Sequence, residues 1–243
     1  MDKQIVAAQD TPEGAGARVR RLFPTKKFMD YDPFVLLDEF FVDPTAGFPE
    51  HPHRGFEAVT YMLEGTFWHR DILGNDSEVG AGGVQRFNAG RGLIHSEMPG
   101  GGTTVCHGLQ LWINLPRRLK QSEPSYQQVL PEQIPEESIT GGKIRTIIGP
   151  SSPVVLQTPV TYIDVKLEKN YSYHLPVISE SNLFIYVYTG KVEVGGQSCG
   201  QGQACFMGFS GPDTVHAIQD SGFVFLAGRP HAEPIYHNGP YVD

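Results

Sequence analysis

Residues 61–65 read YMLEG and residues 186–190 read YVYTG, and each copy ends an apolar run at a glycine. Each copy is followed by a glycine-rich turn, a second apolar segment and a histidine: residues 81–83 (AGG) and His95 in the first half, residues 200–202 (GQG) and His216 in the second. Two copies of one β-barrel unit explain this layout best.

Short segments rich in Val, Ile, Tyr, Phe and Thr fill the space between the scattered glycines and prolines, as they do in β-proteins. No long, well-capped amphipathic helix is evident, and a short helix is predicted around residues 131–138. The predicted strands cover residues 57–63, 84–88, 104–113, 143–148, 161–167, 183–188, 191–194 and 223–227. The chain is therefore predicted to be all-β.

A polar, proline-rich stretch between Pro116 and Pro159 is typical of a connection between two modules. The boundary is placed near residue 135, which gives an N-terminal domain of residues 1–135 and a C-terminal domain of residues 136–243. Because two barrels in one chain can cover each other's apolar faces, we expect a monomer.

The composition argues against several classes of partner. A formal net charge of -8 provides no overall cationic field for nucleic acid or for an anionic membrane. No apolar run is long enough for a membrane span or resembles a secretory signal, and three cysteines without zinc-type pairing fit reduced thiols. We expect a cytoplasmic protein, or a nuclear one if the source is eukaryotic.

Two spaced pairs of side chains predict a metal site. His51 and His53 are separated by one residue, as are His95 and Glu97, so each pair points to one side of an extended segment. Three nitrogens and one oxygen suit a borderline divalent first-row metal such as iron, with open positions for water or substrate. The sequence therefore predicts a site on two neighbouring strands of the first barrel.

The two stretches that carry these pairs, residues 51–65 (HPHRGFEAVTYMLEG) and 89–99 (AGRGLIHSEMP), resemble the metal motifs of the pirin family of the cupin superfamily. Further similarity lies in residues 32–41 (DPFVLLDEFF), 107–116 (HGLQLWINLP) and 233–242 (EPIYHNGPYV), so the resemblance spans nearly the whole chain. It implies two cupin-type β-barrels of the jelly-roll kind, with metal in the N-terminal barrel only. It also implies that the ligands are His51, His53, His95 and Glu97.

The carboxylate ligand departs from the broader cupin pattern, in which a glutamate shortly after the two histidines completes the site. Glu57 stands at about that position, whereas the resemblance to pirins assigns the ligand role to Glu97. Glu57 is therefore expected directly behind the ligands, and Glu57 as a ligand is the alternative. In the second half, the count back from Gly190 reaches Pro176 and Ile178, neither of which can bind a metal.

Several other side chains near the motifs also have expected roles. His174 and His216 are interpreted as structural, and His69 and Asp71 as a surface pair. Phe56 and Gln85 are the candidate substrate contacts. Arg54 is expected to orient its loop or a carboxylate.

Pirin-like proteins are similar to quercetin 2,3-dioxygenases, which open the central ring of a flavonol with O2 and release CO. The first hypothesis is therefore a dioxygenase with a flavonol-like aromatic substrate, in which Glu97 is both ligand and catalytic base. The expected cofactor is one divalent transition metal, Fe(II) first, with Mn, Ni, Cu or Zn as alternatives. The second hypothesis is a redox-sensing interaction protein that acts as a transcription cofactor, and a third is a cupin enzyme for another small molecule, such as a sugar or a diketone.

Overall fold

The computed structural model describes residues 3–101, 105–207 and 214–243. The strands are β1 (Gln4–Ala7), β2 (Gln9–Glu13), β3 (Ala17–Phe23), β4 (Phe34–Val42), β5 (Phe48–His53), β6 (Phe56–Glu64), β7 (Thr66–Asp71), β8 (Asp76–Gly80), β9 (Val84–Asn88), β10 (Leu93–Pro99), β11 (Cys106–Asn114), β12 (Ser125–Val129), β13 (Glu136–Ile139), β14 (Gly142–Ile148), β15 (Val160–Leu167), β16 (Ser172–His174), β17 (Asn182–Thr189), β18 (Lys191–Val194), β19 (Gln197–Gly200), β20 (Gln203–Phe206), β21 (Thr214–Ala217), β22 (Ser221–Gly228), β23 (His237–Asn238) and β24 (Tyr241–Val242). Two short 3-10 helices are Arg117–Leu119 and Pro131–Gln133. The prediction of an all-β chain is confirmed.

Local differences from the predicted elements are small. The helix expected over residues 131–138 is a single 3-10 turn followed by β13, and the strand expected from Thr104 is β11, with Thr104 itself outside the described residues. Within the described residues, no helix has the length and apolar character that crossing a membrane requires.

The chain forms two compact units that exchange their terminal segments. The N-terminal barrel contains Gln9–Gln133, Val154–Thr158 and His231–Asp243, and the C-terminal barrel contains Met1–Ala8, Ile134–Pro153 and Pro159–Pro230. The sequence-based division at residue 135 did not include this exchange, because short terminal segments carry no pattern that says which sheet they join.

The N-terminal barrel consists of two antiparallel sheets. The larger has the strand order β12-β9-β6-β11-β4-β3-β2, and the smaller has the order β5-β10-β7-β8. Strands β23 and β24 form a separate two-stranded ribbon. The two motif segments recognised in the sequence thus become neighbouring strands, since β5 and β10 pair directly.

The C-terminal barrel repeats this arrangement. Its sheets have the orders β1-β20-β17-β22-β15-β14-β13 and β16-β21-β18-β19, again seven and four strands. Residues 61–65 end β6 and residues 186–190 end β17, and these two strands occupy the same place in their sheets. The internal repeat predicted from these short stretches is therefore present in the topology.

The interiors of the two barrels differ in polarity. On β6 the inward residues run from Phe56 and Ala58, in one apolar cluster, through Thr60 to Met62, in another. A polar layer therefore lies between two apolar ends of the N-terminal barrel. The C-terminal barrel holds one continuous cluster of aliphatic and aromatic side chains on β15, β17, β18, β21 and β22, and its described residues form no such polar layer.

The tail of the chain closes the end of the N-terminal barrel nearest β5. Val242 is fully buried, and its backbone N–H donates to the carbonyl of Arg54 at 3.0 Å. The Arg54 guanidinium binds the Asp243 carboxylate at 2.8 Å, which agrees with the orienting role expected for this arginine. Lys120 Nζ donates to the carbonyls of Val242 and Gly55 at 2.8 and 3.0 Å, so one ammonium joins the tail to the loop after β5.

Candidate metal centre

Strands β5 and β10 bring three imidazole rings together in the polar layer. His95 lies directly opposite His51 in the antiparallel register, and His53 follows two residues later on the same side of β5. The ring centroids are 4.5 Å apart for His51 and His95, 4.6 Å for His51 and His53, and 5.0 Å for His53 and His95. One ligand atom from each of the three lies within 4.8 Å of the others.

In His51 and His53, a backbone carbonyl determines which ring nitrogen carries the proton. His51 Nδ1 is 2.7 Å from the carbonyl of Pro49, and His53 Nδ1 is 3.2 Å from the carbonyl of Pro240. Because a carbonyl oxygen only accepts, both Nδ1 atoms must donate, and both Nε2 atoms then carry lone pairs. This is the tautomer that a metal-binding histidine needs.

Burial keeps the three rings neutral. Desolvation lowers the pKa of His51, and it lowers the pKa of His53 to about 3, with a further contribution from the neighbouring His51. The pKa of His95 is also lowered well below its ordinary value by burial, and its Nε2 is buried without a hydrogen-bond partner among the described residues. A buried polar atom without a partner is costly, and a bound cation would satisfy it. The donor set therefore fits a divalent transition metal.

Glu97 lies on the same face of β10, two residues after His95. Its carboxylate oxygens do not come within 4.8 Å of ligand nitrogens on all three rings. It groups instead with His69 and His95. Thr60 Oγ1 donates to Glu97 Oε1 at 3.0 Å, and Gln110 Nε2 lies 3.5 Å from Oε2. Burial raises the pKa of Glu97 to about 7, although the Thr60 hydrogen bond opposes the rise. Its role as the fourth ligand stays a prediction.

The side chains of His69 and Asp71 are buried, and the expectation of a surface pair is wrong. On β7 the alternation turns Phe67 and His69 inward, while Trp68 faces outward and is 38% exposed. His69 Nε2 is 2.9 Å from Asp71 Oδ2, and its ring stacks on Tyr126 with centroids 4.1 Å apart. The alternation of residues 67–71 could have predicted that His69 and Asp71 point inward. That prediction also needed the knowledge that a barrel strand, β7, follows the turn at Gly65.

Glu57 lies on the outer face of β6, so the expectation that it stands directly behind the ligands is wrong. Its neighbour Phe56 contacts His53 on the inner face, with ring centroids 5.1 Å apart, and the strand alternation sends Glu57 the other way. The Glu57 carboxylate binds Arg86 at 2.5 Å and accepts the backbone N–H groups of Gln157 and Thr158 at 2.9 Å. This carboxylate holds residues 154–158 against the sheet and faces away from the imidazoles.

The two candidate substrate contacts lie beside the site. Phe56 is fully buried and stacks on Trp112, with centroids 4.0 Å apart. Gln85 pairs in register with Thr60, and its buried Oε1 has no hydrogen-bond partner among the described residues. Whether either side chain touches a substrate stays a prediction.

The C-terminal barrel has no equivalent centre among its described residues. Strand β21 turns Val215 and Ala217 inward, on the strand that corresponds to β10. The strand that pairs with β21 is β16, so the count that led to Pro176 and Ile178 missed the true counterpart of β5. His216 Nδ1 is 3.0 Å from Ser172 Oγ and His174 Nδ1 is 2.8 Å from Thr214 Oγ1, which agrees with structural roles.

Comparisons with known proteins agree with this architecture. The family model described as Pirin matches residues 16–113, and the model described as the Pirin C-terminal cupin domain matches residues 162–243. A pirin-like protein of Caulobacter vibrioides is 39% identical, covering 98% of this chain and 91% of the relative, and pirin of Homo sapiens is 37% identical, covering 98% and 85%. A quercetin 2,3-dioxygenase structure from Acinetobacter baumannii is 28% identical with a TM-score of 0.91, covering 98% of this chain and 90% of that one. The predicted fold of two cupin-type barrels is thereby confirmed.

Proposed function

The chain belongs to the pirin family, and on that premise we propose that it is a metal-dependent dioxygenase that opens the central ring of a flavonol with O2 and releases CO. The observation that carries the proposal is the convergence of three neutral imidazoles beside a carboxyl group whose pKa is about 7. The similarity to a solved quercetin 2,3-dioxygenase supports the choice of substrate class.

The residues that would hold the metal are His51, His53, His95 and Glu97. Iron(II) is the first choice for three nitrogens and one oxygen, and manganese, nickel, copper or zinc fit the same donors. When bound, any of these ions would make a coordinated hydroxyl more acidic, and a redox-active one such as iron(II) would also provide a redox partner for dioxygen.

Glu97 is the proposed catalytic base for the flavonol hydroxyl proton. In the metal-free protein burial raises the pKa of this carboxyl group to about 7, and a bound cation would favour the carboxylate form, which is the form that can accept the hydroxyl proton. Thr60 and Gln110 each contact one of its two carboxylate oxygens within the polar layer. The protein thus supplies a positioned proton acceptor next to the ligand nitrogens.

Aromatic side chains form the proposed wall for a flat substrate. The rings of Phe56, Phe87 and Trp112 all pack within 5.6 Å of the His53 ring, centroid to centroid. These faces suit stacking on a flavonol and keep water from the ring carbons. The partnerless Oε1 of Gln85 would accept a hydrogen bond from a substrate hydroxyl.

The test of this function is turnover of quercetin by protein loaded with iron(II), compared with metal-stripped protein. We expect loss of the flavonol absorbance band, with one equivalent of CO trapped by a reduced haem protein, only in the loaded sample. Anaerobic addition of quercetin should shift its absorbance without consuming it, because ligation precedes the reaction with dioxygen. A loaded protein that binds quercetin but forms no CO in air would overturn the proposal.

Metal affinity is expected to depend on pH through Glu97. A carboxylate ligand must be deprotonated, and in the metal-free protein burial raises the pKa of Glu97 to about 7. Affinity should therefore fall about tenfold per pH unit below about pH 7, where about one proton is released per ion, and level off above it, where the carboxylate has no proton to release. The buried imidazoles should add little to the pH dependence of metal affinity above about pH 6, since burial lowers their pKa values and leaves them without a proton to lose.

Cobalt(II) titrations from about pH 6 to pH 8, in buffers that differ in ionisation enthalpy, measure both the slope and the proton count. The Glu97→Gln variant provides the comparison, because an amide cannot hold the competing proton. It should bind more weakly and show a nearly flat profile over this range. An unchanged slope in this variant would exclude Glu97 as the titrating ligand.

The second candidate function is a metal-dependent interaction protein that acts as a transcription cofactor. The observation that favours it is a row of exposed apolar side chains on the outer face of β7 and β10, where Trp68, Ile94 and Met98 are 36–38% exposed. The net charge of -8 favours a basic protein partner over DNA. Partner binding that needs the metal, in a protein that forms no CO, would favour this candidate over the enzyme.

A further inference from the structure

His69 and Asp71 continue the polar layer from β10 onto β7. In the antiparallel register, His69 lies opposite Glu97 and Asp71 lies opposite His95. His69 Nδ1 is 3.4 Å from His95 Nδ1, and on its other side His69 Nε2 is 2.9 Å from Asp71 Oδ2. A row of hydrogen bonds therefore runs from Asp71 through His69 to the ring of His95.

The turn after β7 fixes Asp71 as an acceptor. Its Oδ1 accepts the backbone N–H groups of Leu73 and Asn75 at 2.9 and 3.1 Å, and its Oδ2 accepts Asn75 Nδ2 at 2.9 Å. The Asp71 side chain is fully buried, as is that of His69 apart from 1% of its surface. The carboxylate is thus held by four donors, one of which is His69 Nε2–H.

This fixed acceptor determines the direction of every hydrogen bond in the row. His69 must donate from Nε2, and a neutral imidazole has one N–H, so its Nδ1 can only accept. The donor to that atom is then His95 Nδ1–H. The remaining nitrogen of His95 is the buried Nε2, which has no hydrogen-bond partner in the part of the chain that the structure describes and is left with its lone pair.

We infer that Asp71 and His69 are positioning residues that set the tautomer of His95 and thereby keep its Nε2 available as a metal ligand. The need for them follows from the topology. His51 and His53 have backbone carbonyls at Nδ1, whereas His95 lies on a strand paired on both sides, whose own backbone is committed to β5 and β7. The side chains of β7 therefore keep the proton of His95 on Nδ1, as backbone carbonyls do for His51 and His53.

The first test reads the tautomer directly and needs no metal. Nitrogen-15 spectra of the metal-free protein report which ring nitrogen of each histidine carries the proton, with His95 assigned by its loss in His95→Gln. We expect Nδ1–H on His95 and Nε2–H on His69. Proton placement on His95 Nε2 in the wild-type protein would overturn the inference.

The second test reverses the direction of the hydrogen bonds by exchanging one carboxylate oxygen of Asp71 for an NH2 group. In Asp71→Asn the amide can donate to His69 Nε2, which forces His69 to donate from Nδ1 and leaves the proton of His95 on Nε2. Cobalt(II) affinity should fall about 10–100-fold, the range seen when an outer partner of a metal ligand is removed. Asp76→Asn, the same change on β8 where the carboxylate contacts Arg70 at the surface, is the control and should bind as wild type does.

A pair of variants at position 69 separates tautomer control from packing. His69→Leu removes the acceptor and should weaken cobalt(II) binding to a similar degree, whereas His69→Asn returns an oxygen near the Nδ1 position and should recover most of the affinity. Equal weakening in both variants, or wild-type affinity in Asp71→Asn, would contradict the inference.

The metal readout rests on the proposed metal site, but the two can fail separately. A wild-type protein with the expected tautomers that binds no cobalt(II) would remove the proposed function and leave the tautomer assignment standing. Tight binding in the wild type together with Nε2–H on His95 would remove only the inference.

Discussion

Replacing His53 by phenylalanine is expected to weaken metal binding by at least about 100-fold while leaving the fold intact, a larger loss than removal of an outer partner causes. His53 lies among the rings of Phe56, Phe87 and Trp112, with centroid distances of 5.1, 5.6 and 4.8 Å. A phenyl ring is somewhat larger than an imidazole but suits this aromatic setting, so the cost in stability should be about 1–3 kcal/mol. It cannot, however, supply the Nε2 lone pair.

The measurement is metal content after anaerobic loading with iron(II) and desalting, followed by thermal unfolding of the metal-free protein. His216→Phe is the matched control, because this histidine contacts Ser172 in the C-terminal barrel and should leave the metal content unchanged. His53→Ala should lose the metal equally but with a lower melting temperature, since it leaves a cavity. Stoichiometric, wild-type metal binding by His53→Phe would show that His53 is not a ligand.

Replacing Glu57 by glutamine is expected to destabilise the protein by about 3–5 kcal/mol without weakening metal binding. The Glu57 carboxylate is fully buried and neutralises Arg86, while it also accepts backbone N–H groups from Gln157 and Thr158. The amide of glutamine removes the negative charge. Its NH2 group also faces the N–H groups that the carboxylate had accepted, so one of these donors loses its acceptor. The guanidinium of Arg86 is then left buried without its counter-charge, which is the costly outcome for a buried pair.

Thermal unfolding should report this change as a fall of roughly 6–20 °C in the melting temperature. Glu64→Gln lies on the same strand at an exposed position and should change stability by no more than about 0.5 kcal/mol. Cobalt(II) affinity of the folded Glu57→Gln protein should match wild type, because Glu57 lies on the other face of β6. A stable variant that had lost its metal would instead support the alternative in which Glu57 is a ligand.

Much of the site could be predicted because its residues are local in sequence. His51 and His53, like His95 and Glu97, are separated by one residue, so strand alternation alone places each pair on one side. The structure brings the three histidines together as expected, and it places Glu97 beside His95. The expectation that the two segments form neighbouring strands rested on the glycine turns close to them, and the pairing of β5 with β10 agrees with it.

The errors came from side chains whose direction depends on distant parts of the fold. Glu57 follows Phe56 on one strand, and only the position of Arg86 and of residues 154–158 shows which face of β6 is outside. The expectation of a surface pair for His69 and Asp71 rested on their place after the turn at Gly65. In the structure both side chains point inward, while Trp68 and Arg70, the residues that precede each of them, are exposed. The exchange of terminal segments between the two units was missed for the same reason, since short strands pair according to sheets formed elsewhere.

The surroundings of the candidate metal centre include residues made long after His53. The carbonyl that orients His53 belongs to Pro240, 187 positions farther along the chain, and Val242 caps the same end of the barrel. While the chain is being synthesised, His51, His53, His95 and Glu97 can all be present before the last of these supports exists. In the proposed centre, the surroundings of His53 are therefore complete only after the last residues of the chain have been made.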